Sequence, residues 1–298
     1  MATPSSSPGL DVVPHSAGTA TPRLAAPAGA CDAHIHIFDG RFPTAVPASP
    51  PLQNATVVDY RALQRRIGTT RAVVVQPKIY GTDNSCTLEA VAQLGANGRG
   101  IAVVHPGVDD DELHRLHAGG IRGLRFSVWN PADTVTTIDM IEPLAPRVAE
   151  LGWHVQLHMS GDQVVTHADM LDRVAAPIVF DHIGRLPQAL GTGHAGFAVV
   201  RRLLDKGRAW MKLSGAYLNS LVGPPAYADA AAVAAAFARI APERMVWGSD
   251  WPHITEMHKP DDAMLLDLLA DWAPDAGARR RILVDNPAEL YGFSSKCK

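Results

Sequence analysis

Two histidines, His34 and His36, stand two residues apart in the apolar run CDAHIHIF, which begins at Cys31. Residues two apart on a β-strand point to the same face, so both imidazoles would lie on one side of a sheet. Imidazole nitrogens bind Zn²⁺ and similar divalent ions, and an imidazole can also polarise a carbonyl group. The spacing therefore indicates one half of a catalytic or metal-binding site.

Three further ionisable residues stand at the ends of other strand-like runs: His158 in WHVQLHM, His182 in PIVFDHI and Asp250 in RMVWGSD. Burying ionisable groups without a shared task costs free energy, which favours one common site for all of them. Asp250 can accept a proton from water or complete the coordination of a metal ion, while His182 can orient that water. These residues are therefore the candidates for the chemistry.

The elements that must position these residues alternate between short β-rich runs and segments with helical spacing. Eight runs, rich in Val, Ile and aromatic residues, begin at Cys31, Arg71, Arg99, Ile121, Trp153, Pro177, Ala209 and Arg244. The alternation implies parallel strands joined by crossovers, and eight units in about 265 residues predict a single-domain (β/α)8 TIM barrel of the α/β class. A doubly wound open sheet is the alternative, although no glycine-rich phosphate loop follows a strand.

Catalytic groups of such barrels lie at the carboxyl ends of the strands, and this position adds substrate-binding candidates. They are Gln76, Arg125, Arg185, Tyr217 and His253. Asn219, near Tyr217, could bond a hydroxyl or a carboxylate in the same way. The alternative for these residues is a solvated loop or, for Arg125, a salt bridge within the barrel.

Composition restricts the class of protein. The chain has 298 residues and a net charge of -3 without a basic patch, so neither nucleic acid nor a membrane surface is expected as a partner. Its 3 cysteines do not suggest a disulfide framework, which favours a reducing, cytoplasmic location. Residues 1–28, rich in Ala, Pro, Ser and Thr, lack a secretory signal pattern, and we expect a flexible leader there. The barrel would occupy residues 29–298.

Three segments, DAHIHIF, FDHIGR and WGSDWPH, resemble motifs of the amidohydrolase superfamily. The closer similarity is to its lactonase branch, which includes 2-pyrone-4,6-dicarboxylate lactonases, sugar-acid lactonases and sulfomuconolactone hydrolases. The similarity spans roughly residues 29–293 and includes the closing DNPAELYGF. A His-x-His pair alone is weak support, whereas its combination with the strand-six histidine and the strand-eight aspartate, in that order, is strong.

The resemblance implies a hydrolase that opens a lactone, a cyclic ester of a carboxylated sugar acid or of a muconate or pyrone type. Asp250 would act as general base on a water that attacks the lactone carbonyl. Three imidazoles would lie against that carbonyl: His34, His36 and His182. Arg125 and Arg185 would bind a substrate carboxylate, which suits the planar fork of guanidinium.

Two departures from the branch bear on the cofactor and the substrate. The metal-independent pyrone-dicarboxylate lactonases carry a tyrosine where this chain has His158, and metal-binding amidohydrolases often have a ligand histidine there. The resemblance leaves two alternatives, no metal or one divalent ion such as Zn²⁺ on His34, His36, His158 and Asp250. The strand-seven segment MKLSGAYLNSL lacks the arginine that binds a second carboxylate, which favours a substrate with one carboxylate or more hydroxyls.

Other activities stay open on the sequence. The superfamily also contains metal-dependent non-oxidative decarboxylases, and a relative in this branch isomerises a sugar lactone. A barrel that binds a sugar acid without turnover is a third alternative. The partner would be a small lactone or carboxylated molecule in each case, and a homo-oligomer is compatible with the sequence. The intact His-x-His pair and strand-eight aspartate favour hydrolysis.

Overall fold

The computed structural model describes residues 12–45, 53–132, 134–218 and 220–294. Its centre is one sheet of eight parallel strands, ordered in space as they are along the chain. The strands are β1 Cys31–Ile35, β2 Arg71–Val75, β3 Gly98–Ala102, β4 Ile121–Ser127, β5 His154–His158, β6 Ile178–Phe180, β7 Ala209–Leu213 and β8 Met245–Trp247. Nearly all strand residues are buried, as expected for parallel strands that are covered on both faces.

Helices follow the strands and cover the outside of the sheet. They are α1 Val57–Ile67, α2 Ser85–Leu94, α3 Asp110–Ala118, α4 Ile141–Glu150, α5 Gly161–Thr166, α6 Ala168–Arg173, α7 Ala195–Asp205, α8 Ala228–Ile240, α9 Asp262–Trp272, α10 Ala276–Arg280 and α11 Asn286–Tyr291. A capping box between Thr56 and Asp59 starts α1, because each side chain accepts a hydrogen bond from the other residue's backbone N–H. Within the described ranges, no helix combines the length and the apolar character needed to cross a membrane.

β1 and β8 meet and close the sheet into a barrel. The backbone N–H of Asp250 donates to the His34 carbonyl at 2.9 Å, and that of His36 donates to the Trp251 carbonyl at 2.8 Å. A parallel bridge between Ile35 and Trp251 accompanies them. The predicted (β/α)8 barrel is therefore confirmed, and the open-sheet alternative is wrong. The same bonds hold the segment with Asp250 beside the strand with the histidine pair.

The inner face of the barrel changes from apolar to polar along several strands. A buried apolar cluster includes Cys31, Val73, Ile101, Val179, Trp210 and Val246, together with Tyr291 and Phe293 from the C-terminal part of the chain. Two buried polar residues lie two positions further along the chain than members of this cluster. Lys212, on β7, follows Trp210, and Asp181, directly after β6, follows Val179. The polar site is therefore built on an apolar floor inside the barrel.

The described part of the predicted leader, residues 12–28, lies against the barrel. Val13 is buried, and the indole N–H of Trp251 donates to the Pro14 carbonyl at 2.8 Å. The guanidinium of Arg66, on α1, donates to the Ala20 carbonyl at 2.8 Å. Amino-acid composition predicts a flexible segment here, because composition does not show that backbone carbonyls of this segment accept hydrogen bonds from barrel side chains. Residues 1–11, and residues 46–52 between β1 and α1, lie outside the described residues.

Candidate active site

The histidine pair and Asp250 form the centre of the site at the carboxyl end of the barrel. His34 Nε2 lies 3.3 Å from His36 Nε2 and 3.5 Å from Asp250 Oδ1, and His36 Nε2 lies 3.6 Å from the same oxygen. His36 Nδ1 donates to the Val75 carbonyl at 2.7 Å, because a carbonyl oxygen can only accept. In its neutral form His36 therefore presents an unprotonated Nε2 to the other two side chains.

A buried polar layer supports His34 from below. Asp181 Oδ1 lies 3.3 Å from His34 Nδ1 and 3.6 Å from the ammonium of Lys212. Lys212 donates to Gln156 Oε1 at 2.7 Å, and Gln156 Nε2 donates to Asp181 Oδ2 at 3.1 Å. These residues are buried, so their charges and hydrogen bonds must be balanced inside the protein.

Charge in this layer is balanced by opposite charge. Burial lowers the pKa of Lys212 to about 8, although the Asp181 carboxylate opposes the shift. Burial would raise the pKa of Asp181, but the facing His34 and Lys212 outweigh it and hold that pKa well below its ordinary value. Sequence analysis missed both residues as site members. The available signals were a lysine inside the strand run AWMKLSG and an aspartate directly before His182.

Three of the four predicted metal ligands lie within reach of one ion. Ligand atoms of His34, His36 and Asp250 form one compact group among the described residues, and those of His34, Asp181 and His182 form another. Three ligand atoms on one tetrahedral Zn²⁺, with bonds of roughly 2.0–2.2 Å, lie about 3.3–3.6 Å apart. The spacings of the first group match this geometry. Its nitrogen and oxygen atoms also suit such an ion chemically.

His158 belongs to neither group, so its role as a ligand alongside His34, His36 and Asp250 stays a prediction. Its Nδ1 lies 3.0 Å from Ser127 Oγ, because residues 127 and 158 are paired across β4 and β5. Its ring stands edge-on to that of His182, with 5.2 Å between centroids. The buried Nε2 has no hydrogen-bond partner within the described part of the chain.

His182 connects the two parts of the site. Its ring lies 4.7 Å from that of His34, and its Nε2 lies 3.9 Å from Asp250 Oδ1. Nδ1 lies 3.0 Å from Ser214 Oγ. Burial lowers the pKa of His182 to about 4, so the imidazole is neutral at neutral pH. Gly215, at φ +61°, allows this approach, since a Cβ there would lie 2.8 Å from His182 Nδ1.

The backbone of the DHIGR segment is held in an uncommon conformation. His182, Ile183, Gly184 and Arg185 have φ values of 51°, 57°, 71° and 48°, the left-handed region that L-residues rarely adopt. Asp250, at φ 67°, shares this conformation. Such backbone persists only where the surrounding structure determines it, and it occurs preferentially at functional sites.

Two arginines with spare donors lie on the other side of the barrel mouth. The Arg185 guanidinium carbon stands 3.8 Å above the centroid of the Trp129 ring. Its buried Nε and Nη1 lack hydrogen-bond partners among the described residues, whereas the buried Nε of Arg125 makes no hydrogen bond there but lies 3.5 Å from Asp181 Oδ2, an ion pair within the barrel. Burial lowers the pKa of His158, and the charges of Arg125 and Arg185 lower it further, which places both cations near that ring. Guanidinium nitrogens without a hydrogen-bond acceptor suit an incoming carboxylate.

Three predicted substrate contacts are instead occupied by protein. Gln76 is fully buried, and its amide nitrogen donates to the carbonyls of Gly81 and Asp83. The Tyr217 hydroxyl donates to Asp250 Oδ2 at 2.8 Å and lies 2.8 Å from His253 Nδ1. The other ring nitrogen of His253 faces Asp262 at 3.1 Å. The substrate-binding roles of Gln76, Tyr217 and His253 therefore stay predictions, and in this structure the polar atoms named here are paired with protein groups. Asn219 lies outside the described residues.

The comparison with known proteins gives a family and several relatives. A family model described as amidohydrolase matches residues 31–293. A 4-sulfomuconolactone hydrolase of Rhizobium radiobacter is 38% identical over 281 residues, which cover 90% of this chain and 92% of the relative. The crystal structure of an Agrobacterium tumefaciens protein without ligand is 30% identical and superposes with a TM-score of 0.87, covering 94% of this chain and 99% of that one.

A further solved relative was crystallised with a polycarboxylate. It is a probable 2-pyrone-4,6-dicarboxylic acid hydrolase from Acinetobacter baumannii with citric acid bound, 26% identical, with a TM-score of 0.78. The superposition covers 89% of this chain and 100% of the other. The family match spans most of the chain, and the identities extend over nearly the whole length of the relatives. The chain therefore belongs to the amidohydrolase family, as its three motifs predicted.

Proposed function

We propose that this protein hydrolyses a carboxylated lactone, with Asp250 as the general base. One observation carries the proposal: Asp250 Oδ1 faces three imidazoles at 3.5, 3.6 and 3.9 Å at the mouth of the barrel. Burial would raise the pKa of Asp250, but the facing His182, His36 and His34 hold it well below its ordinary value. The side chain is therefore a carboxylate that can accept a proton from water.

The reaction follows from this arrangement. Water adds to the lactone carbonyl carbon while Asp250 takes one of its protons. The carbonyl oxygen gains negative charge and lies against the imidazole of His182. The bond from the acyl carbon to the ring oxygen then breaks, and the leaving oxygen takes the proton back from Asp250. The product is a hydroxy acid or, where the leaving group is an enol, its keto tautomer.

Substrate recognition is assigned to the two arginines. Arg185 has buried N–H groups without hydrogen-bond partners in the described structure, and the Arg125 Nε lies 3.5 Å from Asp181 Oδ2 without a hydrogen bond, so a substrate carboxylate would supply acceptors for both arginines. The Acinetobacter baumannii relative was crystallised with citric acid bound, and this supports a carboxylated ligand. The relatives are a sulfomuconolactone hydrolase and a probable pyrone-dicarboxylic acid hydrolase, and these activities support a lactone as the substrate class.

We further propose that one divalent ion such as Zn²⁺ binds to His34, His36 and Asp250. The carboxylate and both Nε2 atoms form a compact donor group, and His36 Nε2 has no proton of its own to offer the other two. When bound, such an ion would polarise the carbonyl oxygen of the substrate as a Lewis acid. Asp181 beside His34 Nδ1, and the Val75 carbonyl at His36 Nδ1, would orient the two rings.

Product analysis in ¹⁸O-labelled water tests the reaction class. A panel of carboxylated sugar lactones and muconolactones is incubated with the enzyme, and products are identified by NMR and mass spectrometry. Ring opening introduces one ¹⁸O into the new carboxylate. An isomerised lactone without label, or release of CO₂, would instead assign the isomerase or decarboxylase activity and overturn the proposal.

A further inference from the structure

A chain of three hydrogen-bonded residues, of which two are buried and Tyr217 is partly buried, ends on the outer oxygen of Asp250. Asp262 Oδ1 lies 3.1 Å from His253 Nε2, and His253 Nδ1 lies 2.8 Å from the Tyr217 hydroxyl, which donates to Asp250 Oδ2 at 2.8 Å. The three residues come from different places: Tyr217 follows β7, His253 follows β8, and Asp262 is the first residue of α9. Asp262 and His253 are almost completely inaccessible to solvent.

Donor and acceptor rules fix the direction of this chain. A carboxylate only accepts hydrogen bonds, so the single proton of the Tyr217 hydroxyl points to Asp250. The phenol oxygen then accepts from His253 Nδ1. The opposite ring nitrogen faces the buried carboxylate of Asp262, which prevents the imidazole from turning.

The two oxygens of Asp250 consequently have different surroundings. Oδ2 is occupied by Tyr217, while Oδ1 faces the histidines inside the barrel. Without the phenol, the carboxylate could rotate about its terminal torsion, which is a broad and nearly two-fold degree of freedom. The loop itself also needs support, since Asp250 and His253 have φ values of 67° and 55°.

We propose that Tyr217, held by the His253–Asp262 pair, is a positioning residue that fixes Oδ1 of Asp250 toward the reacting water. The inference rests on the proposed role of Asp250 as base. It extends that role because it makes the rate depend on residues that touch neither substrate nor histidine pair. It also gives His253 and Tyr217 a function besides the substrate contact predicted for them.

The test compares two tyrosines whose hydroxyl groups are hydrogen-bonded within the protein. Tyr217→Phe removes the hydroxyl on Asp250, and Tyr80→Phe is the matched control, because the Tyr80 hydroxyl accepts from the Asp39 backbone at 2.9 Å away from the site. We expect Tyr217→Phe to lower kcat about 10- to 100-fold, in the range typical for residues that orient a reacting group, with KM changed less than about threefold. Tyr80→Phe should retain the kcat of the unchanged enzyme.

The partner of Tyr217 provides a rescue series. His253→Leu should lower kcat about as far as Tyr217→Phe, whereas His253→Asn keeps an N–H near the phenol and should recover part of the loss. Wild-type kcat in Tyr217→Phe, or an equal loss in Tyr80→Phe, would overturn the positioning role. Asp250→Asn is measured beside them. Full turnover in Asp250→Asn removes the proposed base itself, so the two failures are distinguishable.

A crystal structure of Tyr217→Phe gives a readout that needs no substrate. The carboxylate of Asp250 should be rotated or occupy two orientations. A single orientation, unchanged from that of the wild-type enzyme, would contradict the proposal even where no lactone in the panel is turned over.

Discussion

The two sides of the barrel mouth differ in how completely the protein satisfies their polar atoms. On the β1–β8 side, formed by His34, His36 and Asp250, both Nδ1 atoms and the outer Asp250 oxygen contact protein partners. On the β4–β6 side, formed by Arg125, His158 and Arg185, buried nitrogens of all three residues lack hydrogen-bond partners in the described structure.

This difference separates chemistry from recognition. Groups that must hold a fixed geometry through the reaction are best oriented by permanent protein contacts. A buried polar group without a partner costs free energy, so its presence indicates a site that a ligand completes. Changes on the β1–β8 side should therefore reduce the rate or the stability, and changes on the β4–β6 side should reduce substrate binding.

The largest expected effect is loss of the proposed metal ion. Chelation should lower activity on the best lactone about a thousandfold, since Lewis-acid stabilisation contributes several kcal/mol. Metal analysis should find about one ion per chain, absent in His36→Gln and retained in His158→Gln, which keeps the β1–β8 side intact. Full activity in protein that contains less than about a tenth of an ion per chain would refute the metal proposal.

The second largest effect is expected from removing the buried Lys212 ammonium, which lies beside Asp181 below His34. Lys212→Met leaves the Asp181 carboxylate without its ammonium, and we expect the free energy of unfolding to fall by about 3 kcal/mol in urea denaturation. Lys206→Met, which removes an exposed ion pair with Asp172, is the control and should leave the unfolding midpoint nearly unchanged. Equal free energies of unfolding for the two variants would contradict the charge balance between Lys212 and Asp181 below His34.

Removal of the Arg185 guanidinium, on the β4–β6 side of the barrel mouth, should have a smaller effect, on KM rather than on kcat. Arg185→Met keeps the aliphatic stem, and we expect KM for a carboxylated lactone to rise about 30-fold, or about 2 kcal/mol, with kcat nearly unchanged. Stability should not fall, because two of the guanidinium nitrogens have no partner to lose. A lactone without a carboxylate is the control substrate. An equal rise in KM for both substrates would exclude carboxylate recognition by Arg185.

The smallest effect is expected at Trp129, whose ring lies under the Arg185 guanidinium. Trp129→Leu removes the ring beneath Arg185, and KM should rise about threefold to tenfold, in keeping with a cation–π contact near the surface. Steady-state kinetics on the same carboxylated lactone measures it. A fall in kcat with unchanged KM would show that Trp129 affects the reaction step rather than substrate binding.

The barrel and the centre of the site were predictable from the sequence for a simple physical reason. Parallel strands buried on both faces give dense apolar runs, and all eight predicted runs contain a strand. Polar residues at the ends of such runs meet at one end of the barrel, which correctly brought together His34, His36, His182 and Asp250. The pairing of Asp250 with β1 needs only the closure of the barrel.

The remaining site could not be predicted, because position at a strand end does not determine which partner a side chain finds. Gln76 and His253 occupy suitable positions, yet neighbouring loop carbonyls bind the first and Asp262 binds the second. Asp181 and Lys212 were missed because a single charge in an apolar run shows no partner along the sequence. Their pairing exists only after β6 and β7 are placed side by side in the barrel.

Titration of the Asp250→Asn variant with a carboxylated lactone, followed by calorimetry, tests the central claim most directly. The variant keeps Arg125 and Arg185 and removes the Asp250 carboxylate, which is both the proposed base and a proposed metal ligand, so the lactone should bind with an affinity near the KM of the wild-type enzyme while ring opening falls at least about a thousandfold. Ring opening at the wild-type rate, with heat from turnover in place of a simple binding curve, would contradict the assignment of Asp250 and with it the division between the two sides of the mouth.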